Sequence, residues 1–194
     1  MTEKKLRVLF VGNSYTYYND MPQAAFTELA KAAGFEVDVT AVTQGGYKLC
    51  WFADPENEHG KRLRQAIARK HYDCAVLQEQ SVNPVKDEKE FFAGIEGVKS
   101  LISADKFVLY ATWGRNDGSP DLVDLGLTRA EMTEKLSEAY NRAGRHFGMA
   151  VAEVGKAFLA QPDKAALYDL DMTHPSALGS EIAASVILEQ VIQK

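Results

Sequence analysis

Residues 6–16 of the chain, LRVLFVGNSYT, join an apolar run to a turn that contains a serine. The apolar run, Leu6 to Val11, is typical of a buried first strand, and a helix pattern begins a few residues after Ser14. Open α/β sheets bind their ligands in the crevice beyond the carboxyl ends of the strands, which is where this turn would lie. The stretch therefore predicts an α/β fold with Ser14 at the ligand-binding edge of the sheet.

Apolar runs and helical patterns alternate along the rest of the chain. Four more strand patterns follow the first, at residues 35–41, 73–77, 107–111 and 149–154. Helix patterns lie between and after them, at residues 22–34, 59–70, 88–102, 128–148 and 176–192. Strands that alternate with helices predict a mostly parallel sheet covered on both faces. With right-handed crossovers, we expect a three-layer α/β/α sandwich built on a doubly wound, flavodoxin-like, parallel five-stranded sheet.

The composition narrows the class of protein. The chain has 194 residues, of which 46% are hydrophobic, so one domain with a sizeable core is expected. Its 22 basic and 27 acidic residues give a formal net charge of -5, which argues against non-specific binding of nucleic acid. No apolar stretch of about 20 residues predicts a membrane span. Residues 1–5 show no signal-like apolar region, which favours a cytoplasmic location.

The two cysteines, Cys50 and Cys74, are too few for a disulfide framework. Cys74 lies in a strand pattern, where a free thiol behaves as a small apolar side chain, and Cys50 lies beside Trp51 in a loop. We expect structural roles for both. Metal binding is not expected, because the sequence has no Cys-x-x-Cys or His-x-x-x-His spacing.

Two distant segments supply the residue types of a hydrolytic triad. A serine hydroxyl becomes a good nucleophile when a base takes its proton, and histidine, with a reference pKa of about 6.5, suits that role. In residues 171–175, Asp-Met-Thr-His-Pro, an aspartate three residues before the histidine can orient the imidazole. We predict Ser14 as nucleophile, His174 as base and Asp171 as its orienting partner; Asp169 is a nearby rival without the matching spacing.

The loops after the strands open on the same edge of the sheet and bring hydrogen-bond donors there. A tetrahedral intermediate carries a negative oxygen, and one donor to it is typically worth about 3 kcal/mol in the transition state. The candidate donors are the backbone N–H of Ser14, the backbone N–H of Gly46 or Gly45, and an amide side chain.

This ordered set of motifs resembles the SGNH (GDSL-type) hydrolase superfamily over nearly the whole chain. Gly12-Asn13-Ser14 is similar to the nucleophile block, usually Gly-Asp-Ser, with Asn13 in place of the aspartate. Gly45-Gly46 is similar to the block whose glycine N–H lines the oxyanion hole, and residues 171–175 match the final Asp-x-x-His block. The resemblance implies a single SGNH-hydrolase-like domain over residues 1–194, acting as a serine esterase without a metal or an organic cofactor.

The third block departs from the usual Gly-x-Asn-Asp. Residues 77–84, LQEQSVNP, are closer to the Gln-Gly-Glu-Ser-Asn version of sialate and xylan acetylesterase-like members. By that similarity Gln78 would take the amide-donor role. Gln80, on the same face of an extended strand, and Asn83 are the second and third candidates.

Three residues beside these motifs are candidates for substrate binding. Tyr15 would either pack in the core or line the leaving-group pocket. Trp113 would either stack on a sugar or acyl chain or cover the core. Arg115 would either hold a carboxylate or lie in solvent.

The leading prediction is a serine esterase that hydrolyses a small ester, such as an O-acetyl group on a carbohydrate, through an acyl-enzyme. Its expected partner is this small-molecule ester, with no nucleic acid and no membrane. The unusual third block leaves open a non-catalytic carbohydrate- or ligand-binding member of the same fold. A flavodoxin-like nucleotide binder, with the first turn as anion cradle, is a third alternative. The chain lacks the glycine-rich fingerprint and the P-loop lysine that are usual for that class.

Overall fold

The computed structural model describes residues 4–193; residues 1–3, which contribute to the expectation about location, lie outside them. The strands are β1 Lys4–Gly12, β2 Phe35–Thr43, β3 Tyr72–Leu77, β4 Ala104–Ala111 and β5 Ala150–Glu153. The helices are α1 Ser14–Tyr17, α2 Ala25–Ala32, α3 Leu49–Ala53, α4 Glu58–Ile67, α5 Asn83–Lys86, α6 Glu88–Leu101, α7 Pro120–Leu125, α8 Arg129–Phe147, α9 Val154–Ala160 and α10 Ala177–Ile192. Two 3₁₀ turns lie at Tyr18–Asp20 and Ala165–Leu167.

The five strands form one parallel sheet in the order β2-β1-β3-β4-β5. The chain runs outward from β1 to β2 and then crosses to β3 on the other side of β1. The order therefore reverses between β1 and β3, which is the switch point where open α/β sheets bind ligands. The sheet confirms the predicted doubly wound three-layer α/β/α architecture.

Each face of the sheet packs against its own group of helices. Val8 and Phe10 of β1 belong to the core beneath α2 and α10, whereas Leu9 and Val11 belong to the core beneath α3, α4, α6 and α8. All four side chains are fully buried. A central strand buried on both faces has no polar side, which is why residues 6–11 read as a nearly continuous apolar run.

The predicted long helices are confirmed to within a few residues at their ends, but shorter helices were missed. Residue Val154, predicted as the end of β5, instead begins α9. The helices α3, α5 and α7 lie in stretches predicted to be loops. The helices α3, α5, α7 and α9 have four to seven residues each, which is too short to show a 3.6-residue period in the sequence. Among residues 4–193, no helix has both the length and the apolar character needed to cross a bilayer.

Candidate active site

Ser14 is the first residue of α1 and lies two residues after the end of β1. Asn13 caps this short helix, since its Oδ1 accepts a hydrogen bond from the backbone N–H of Tyr15 at 3.1 Å. Gly12 leaves no room for a side chain, because an added Cβ would lie 2.5 Å from Thr16 Oγ1 and 2.7 Å from Gln78 Oε1. The tight turn thus presents Ser14, half-buried, at the carboxyl edge of the sheet.

The structure brings Ser14, His174 and Asp171 into one hydrogen-bonded chain. His174 Nε2 lies 2.8 Å from Ser14 Oγ, and His174 Nδ1 lies 2.5 Å from Asp171 Oδ2. A carboxylate at Nδ1 favours the tautomer with its proton there, which leaves Nε2 free to accept from the serine hydroxyl. The arrangement can therefore take a proton from Ser14.

Asp171 is held ready to act as an anion. Partial burial opposes its ionisation, but hydrogen bonds from the His174 side chain and from the backbone N–H groups of His174 and Thr173 outweigh it. The pKa of Asp171 consequently lies below its usual value. The rival Asp169 accepts hydrogen bonds from the Tyr18 hydroxyl and the Leu170 N–H instead.

The segment that carries Asp171 and His174 is fastened at several points. Its base closes through a bridge between Tyr168 and Pro175 and a hydrogen bond from Asp169 N–H to His174 C=O at 2.9 Å. Met172 adopts a left-handed backbone conformation, with φ of 60°, which is uncommon for a residue with a side chain. Such conformations persist where the surrounding structure holds them, and they concentrate at functional sites.

Tyr18, which the sequence patterns did not single out, stacks on the imidazole of His174. The ring centroids are 4.4 Å apart and the planes differ by 13°, while Tyr15 meets the same imidazole edge-on at 5.7 Å. Two aromatic rings therefore fix the orientation of His174. The only sequence signal for Tyr18 is its position four residues after Ser14.

A cavity of about 200 Å³ opens in front of Ser14. Most predicted site residues line it, together with three that were not predicted as site residues (Asn13, Ser81 and Thr173): Asn13, Ser14, Tyr15, Gly46, Gln80, Ser81, Arg115, Thr173 and His174. A larger groove of about 520 Å³, between α2 and α10, contains no member of the hydrogen-bonded chain. The smaller cavity, which Ser14 and His174 line, is therefore the candidate active site.

Gly46 reaches this cavity because its loop is tied to the nucleophile turn. Asn13 Nδ2 donates to the Tyr47 C=O at 3.1 Å, and the Gln44 N–H donates to the Gly12 C=O at 3.1 Å. Gly46 has φ of 71°, a conformation that favours glycine.

The three amide candidates of the third block occupy different places. Gln78 is fully buried, and its Oε1 accepts from Asn13 N–H at 2.9 Å and from Thr16 Oγ1 at 2.8 Å, so it lies behind the nucleophile turn and not in the cavity. Asn83 is buried in α5 and does not line the cavity either. Gln80 lines the cavity, and of the three its amide is the one that can meet a ligand.

The predicted substrate-binding residues also divide. Trp113 is fully buried, stacked between Tyr15 and Phe158 at centroid distances of 4.6 and 4.4 Å. Its Nε1–H donates to Thr173 C=O at 3.1 Å, so it supports the His174 segment from below and is out of reach of a substrate. Tyr15 and Arg115 line the cavity, where Arg115 donates to Ser81 Oγ at 3.2 Å and pairs with Asp121.

A second hydrogen-bonded set of side chains and the two cysteines lie apart from this cavity. Ser103, His71 and Asp105 form a second hydrogen-bonded set at the opposite edge of the sheet, with the His71 and Asp105 side chains more than half exposed. Burial raises the pKa of the Cys50 thiol to about 11 and that of Cys74 to about 12. No group of three or more potential metal ligands occurs within residues 4–193.

Comparison with solved structures identifies the fold family. A protein from Slackia heliotrinireducens assigned to the SGNH hydrolases superposes with a TM-score of 0.82 and 31% sequence identity, covering 96% of this chain and 99% of that one. The chain belongs to the SGNH hydrolase superfamily. This membership confirms the resemblance carried by the motifs and the prediction that the chain is a hydrolase.

Two further structures share the SGNH fold at lower identity. A lipase/acylhydrolase from Enterococcus faecalis superposes with a TM-score of 0.73 at 15% identity, covering 96% of this chain and 95% of that one. An acetylxylan esterase from Geobacillus stearothermophilus superposes with a TM-score of 0.68 at 15% identity, covering 100% of this chain and 98% of that one. No family model and no curated protein matches the chain.

Proposed function

We propose that this SGNH hydrolase is a serine esterase that cleaves small esters through an acyl-enzyme on Ser14. The observation that carries the proposal is the continuous hydrogen-bonded chain from Asp171 through His174 to Ser14, which ends in a cavity. In the acetylxylan esterase of the same fold, a serine variant and a histidine variant are both described as catalytic mutants, which agrees with these roles.

The reaction proceeds in two halves. Ser14 Oγ attacks the carbonyl carbon of the ester while its proton passes to His174 Nε2, and Asp171 stabilises the imidazolium that forms. The tetrahedral intermediate expels the alcohol, which takes the proton from His174 and leaves the acyl group on Ser14. Water then attacks this acyl-enzyme, giving a proton to His174, and the acid departs as the proton returns to Ser14.

The negative oxygen of the intermediate needs donors that are already in place. We assign this role to the backbone N–H groups of Ser14 and Gly46 and to the side-chain amide of Gln80. Gln80 Oε1 already accepts from the N–H groups of Val82 and Asn83, so its NH₂ group is the part that donates to a ligand.

The size of the cavity favours a short acyl group. Pockets for drug-sized ligands commonly have volumes of about 300–1,000 Å³, whereas this cavity has about 200 Å³. An acetyl ester fits this space, and the acetylxylan esterase of the same fold makes acetylated sugars the first substrates to screen.

Replacing Ser14 by Ala tests the proposal. The variant should lose turnover of p-nitrophenyl acetate by about 10⁴-fold or more, because the nucleophile is gone and the triad acts as a unit. The matched control is His71→Ala, which dismantles the exposed set with Ser103 and Asp105 and should leave turnover unchanged.

Undiminished turnover in the Ser14→Ala variant would refute the assignment. Binding of acetylated sugars by the native protein, with no hydrolysis and no Ser14 labelling by a fluorophosphonate, would favour a non-catalytic binding protein of the same fold.

A further inference from the structure

Glu79 is a fully buried carboxyl group that the proposed mechanism does not use. It follows β3, between Gln78 and Gln80, and accepts hydrogen bonds from two backbone N–H groups. The N–H of Gln80 lies 2.6 Å from Oε1, and the N–H of Leu49 lies 3.3 Å from each carboxyl oxygen.

One of these N–H groups lies at the start of α3, just after the loop that carries Gly46, and the other belongs to the loop that carries Gln80. Leu49 begins α3 three residues after Gly46, and Gln80 itself lines the cavity. The Glu79 side chain therefore joins the second loop to the third from beneath the site. Its own N–H donates to the Tyr140 hydroxyl of α8 at 3.1 Å, which fixes the end of β3 to the helix layer.

The space around Glu79 is tightly packed. An added Cβ at Gly94 of α6 would lie 3.3 Å from Glu79 Oε2 and 2.9 Å from the Cys50 N. The nearby cation, Lys48, forms its ion pair with Glu90 at 2.5 Å. The Glu79 carboxyl group thus takes its hydrogen bonds from backbone N–H groups. Burial raises its pKa to about 8.

Burying a carboxyl group in place of an apolar side chain of similar size costs free energy unless hydrogen bonds satisfy it, so packing alone does not explain Glu79. Its hydrogen bonds explain the presence of this carboxyl group, because both N–H groups that donate to it lie in or near residues that line the cavity. We propose that Glu79 is a positioning residue that holds the Gly46 and Gln80 loops at the spacing required for the oxyanion hole. The inference rests on the proposed esterase function for its catalytic consequence and on the hydrogen bonds alone for its positioning role.

Two substitutions of Glu79 separate positioning from simple packing. Glu79→Leu leaves both N–H groups without an acceptor, so kcat for p-nitrophenyl acetate should fall by about 10²-fold, the effect of losing one oxyanion donor, while KM changes little. Glu79→Gln keeps an oxygen that accepts the same bonds, so it should recover most of kcat.

Glu153→Leu provides a matched control at the same edge of the sheet. Glu153 ends β5, is half-buried, and accepts hydrogen bonds from the side chains of Ser137 and Asn141, away from both loops. This variant should retain kcat per folded molecule even where its stability falls. Glu79→Leu retaining kcat within about threefold of native would overturn the proposal, since one lost donor is worth far more.

Amide hydrogen exchange distinguishes this proposal from the proposed function. Protection of the Leu49 and Gln80 amides should fall in Glu79→Leu and persist in Glu79→Gln and Glu153→Leu, whether or not the protein hydrolyses esters. Unchanged protection in Glu79→Leu would refute the positioning role. Native protein without Ser14-dependent hydrolysis, but with this exchange pattern, would refute the esterase function and leave the positioning role standing.

Discussion

Three consecutive residues, Gln78, Glu79 and Gln80, connect β3 to three different parts of the site. Gln78 holds the N–H of Asn13 in the nucleophile turn, Glu79 holds the N–H of Leu49, and Gln80 lines the cavity. At this scale, side chains that never touch a ligand decide where the reactive atoms lie. The third block therefore supports the loops around the cavity through Gln78 and Glu79 and contributes Gln80 to the cavity lining.

The raised pKa of Glu79 predicts how stability depends on pH. Burial shifts this pKa from 4.5 to about 8 in the folded protein, so between these values the folded state binds more protons than the unfolded state. The contribution of Glu79 to the free energy of unfolding is therefore largest below pH 4.5 and falls as the pH rises to about 8.

Urea unfolding of the native protein and Glu79→Gln at several pH values measures this contribution. The native free energy of unfolding, minus that of the variant, should decrease between pH 5 and pH 8, because other groups cancel in the difference. A difference that stays constant or increases with pH would contradict the assigned pKa.

The helices differ in how clearly the local sequence predicts them. Long helices carry end signals, and α8 has both: a capping box between Thr128 and Glu131 and a left-handed Gly148 at its end. In contrast, α9 follows β5 directly, and Gly155 allows a close approach, since an added Cβ would lie 2.4 Å from Thr112 C=O. Helices shorter than two turns depend on such tertiary contacts, which the local sequence does not specify.

The cap of α8 predicts a measurable loss of stability. Thr128 Oγ1 accepts from Glu131 N–H at 3.2 Å, and Glu131 Oε2 accepts from Thr128 N–H at 2.8 Å. Thr128→Ala should lower the free energy of unfolding by about 1 kcal/mol, the usual cost of losing such a cap.

Ser100→Ala is the comparison for this cap, because Ser100 is an exposed helical residue whose hydroxyl donates to the Gly97 C=O within α6. It should be nearly neutral in the same denaturant titration. Equal stability of the two variants would show that the capping box contributes nothing measurable.

At the scale of the whole molecule, the cavity lies where the strand order reverses between β1 and β3. The sequence predicts this edge, because Ser14, Gly46, Gln80 and Arg115 each follow a strand. All four line the cavity in the structure. It does not predict that Trp113, which also follows a strand, turns into the core. Packing of distant residues such as Phe158 decides that direction, and the local pattern of the sequence does not contain it. That residues 1–194 form one domain stays a prediction.

Covalent labelling of the intact protein tests the central claim most directly. A fluorophosphonate reacts with a serine whose hydroxyl is activated by a neighbouring base. Intact-mass analysis and peptide mapping should find one adduct per chain, on Ser14, retained in His71→Ala and absent from Ser14→Ala. Ester hydrolysis by a protein that carries no adduct on Ser14, or an adduct on another serine, would contradict the account.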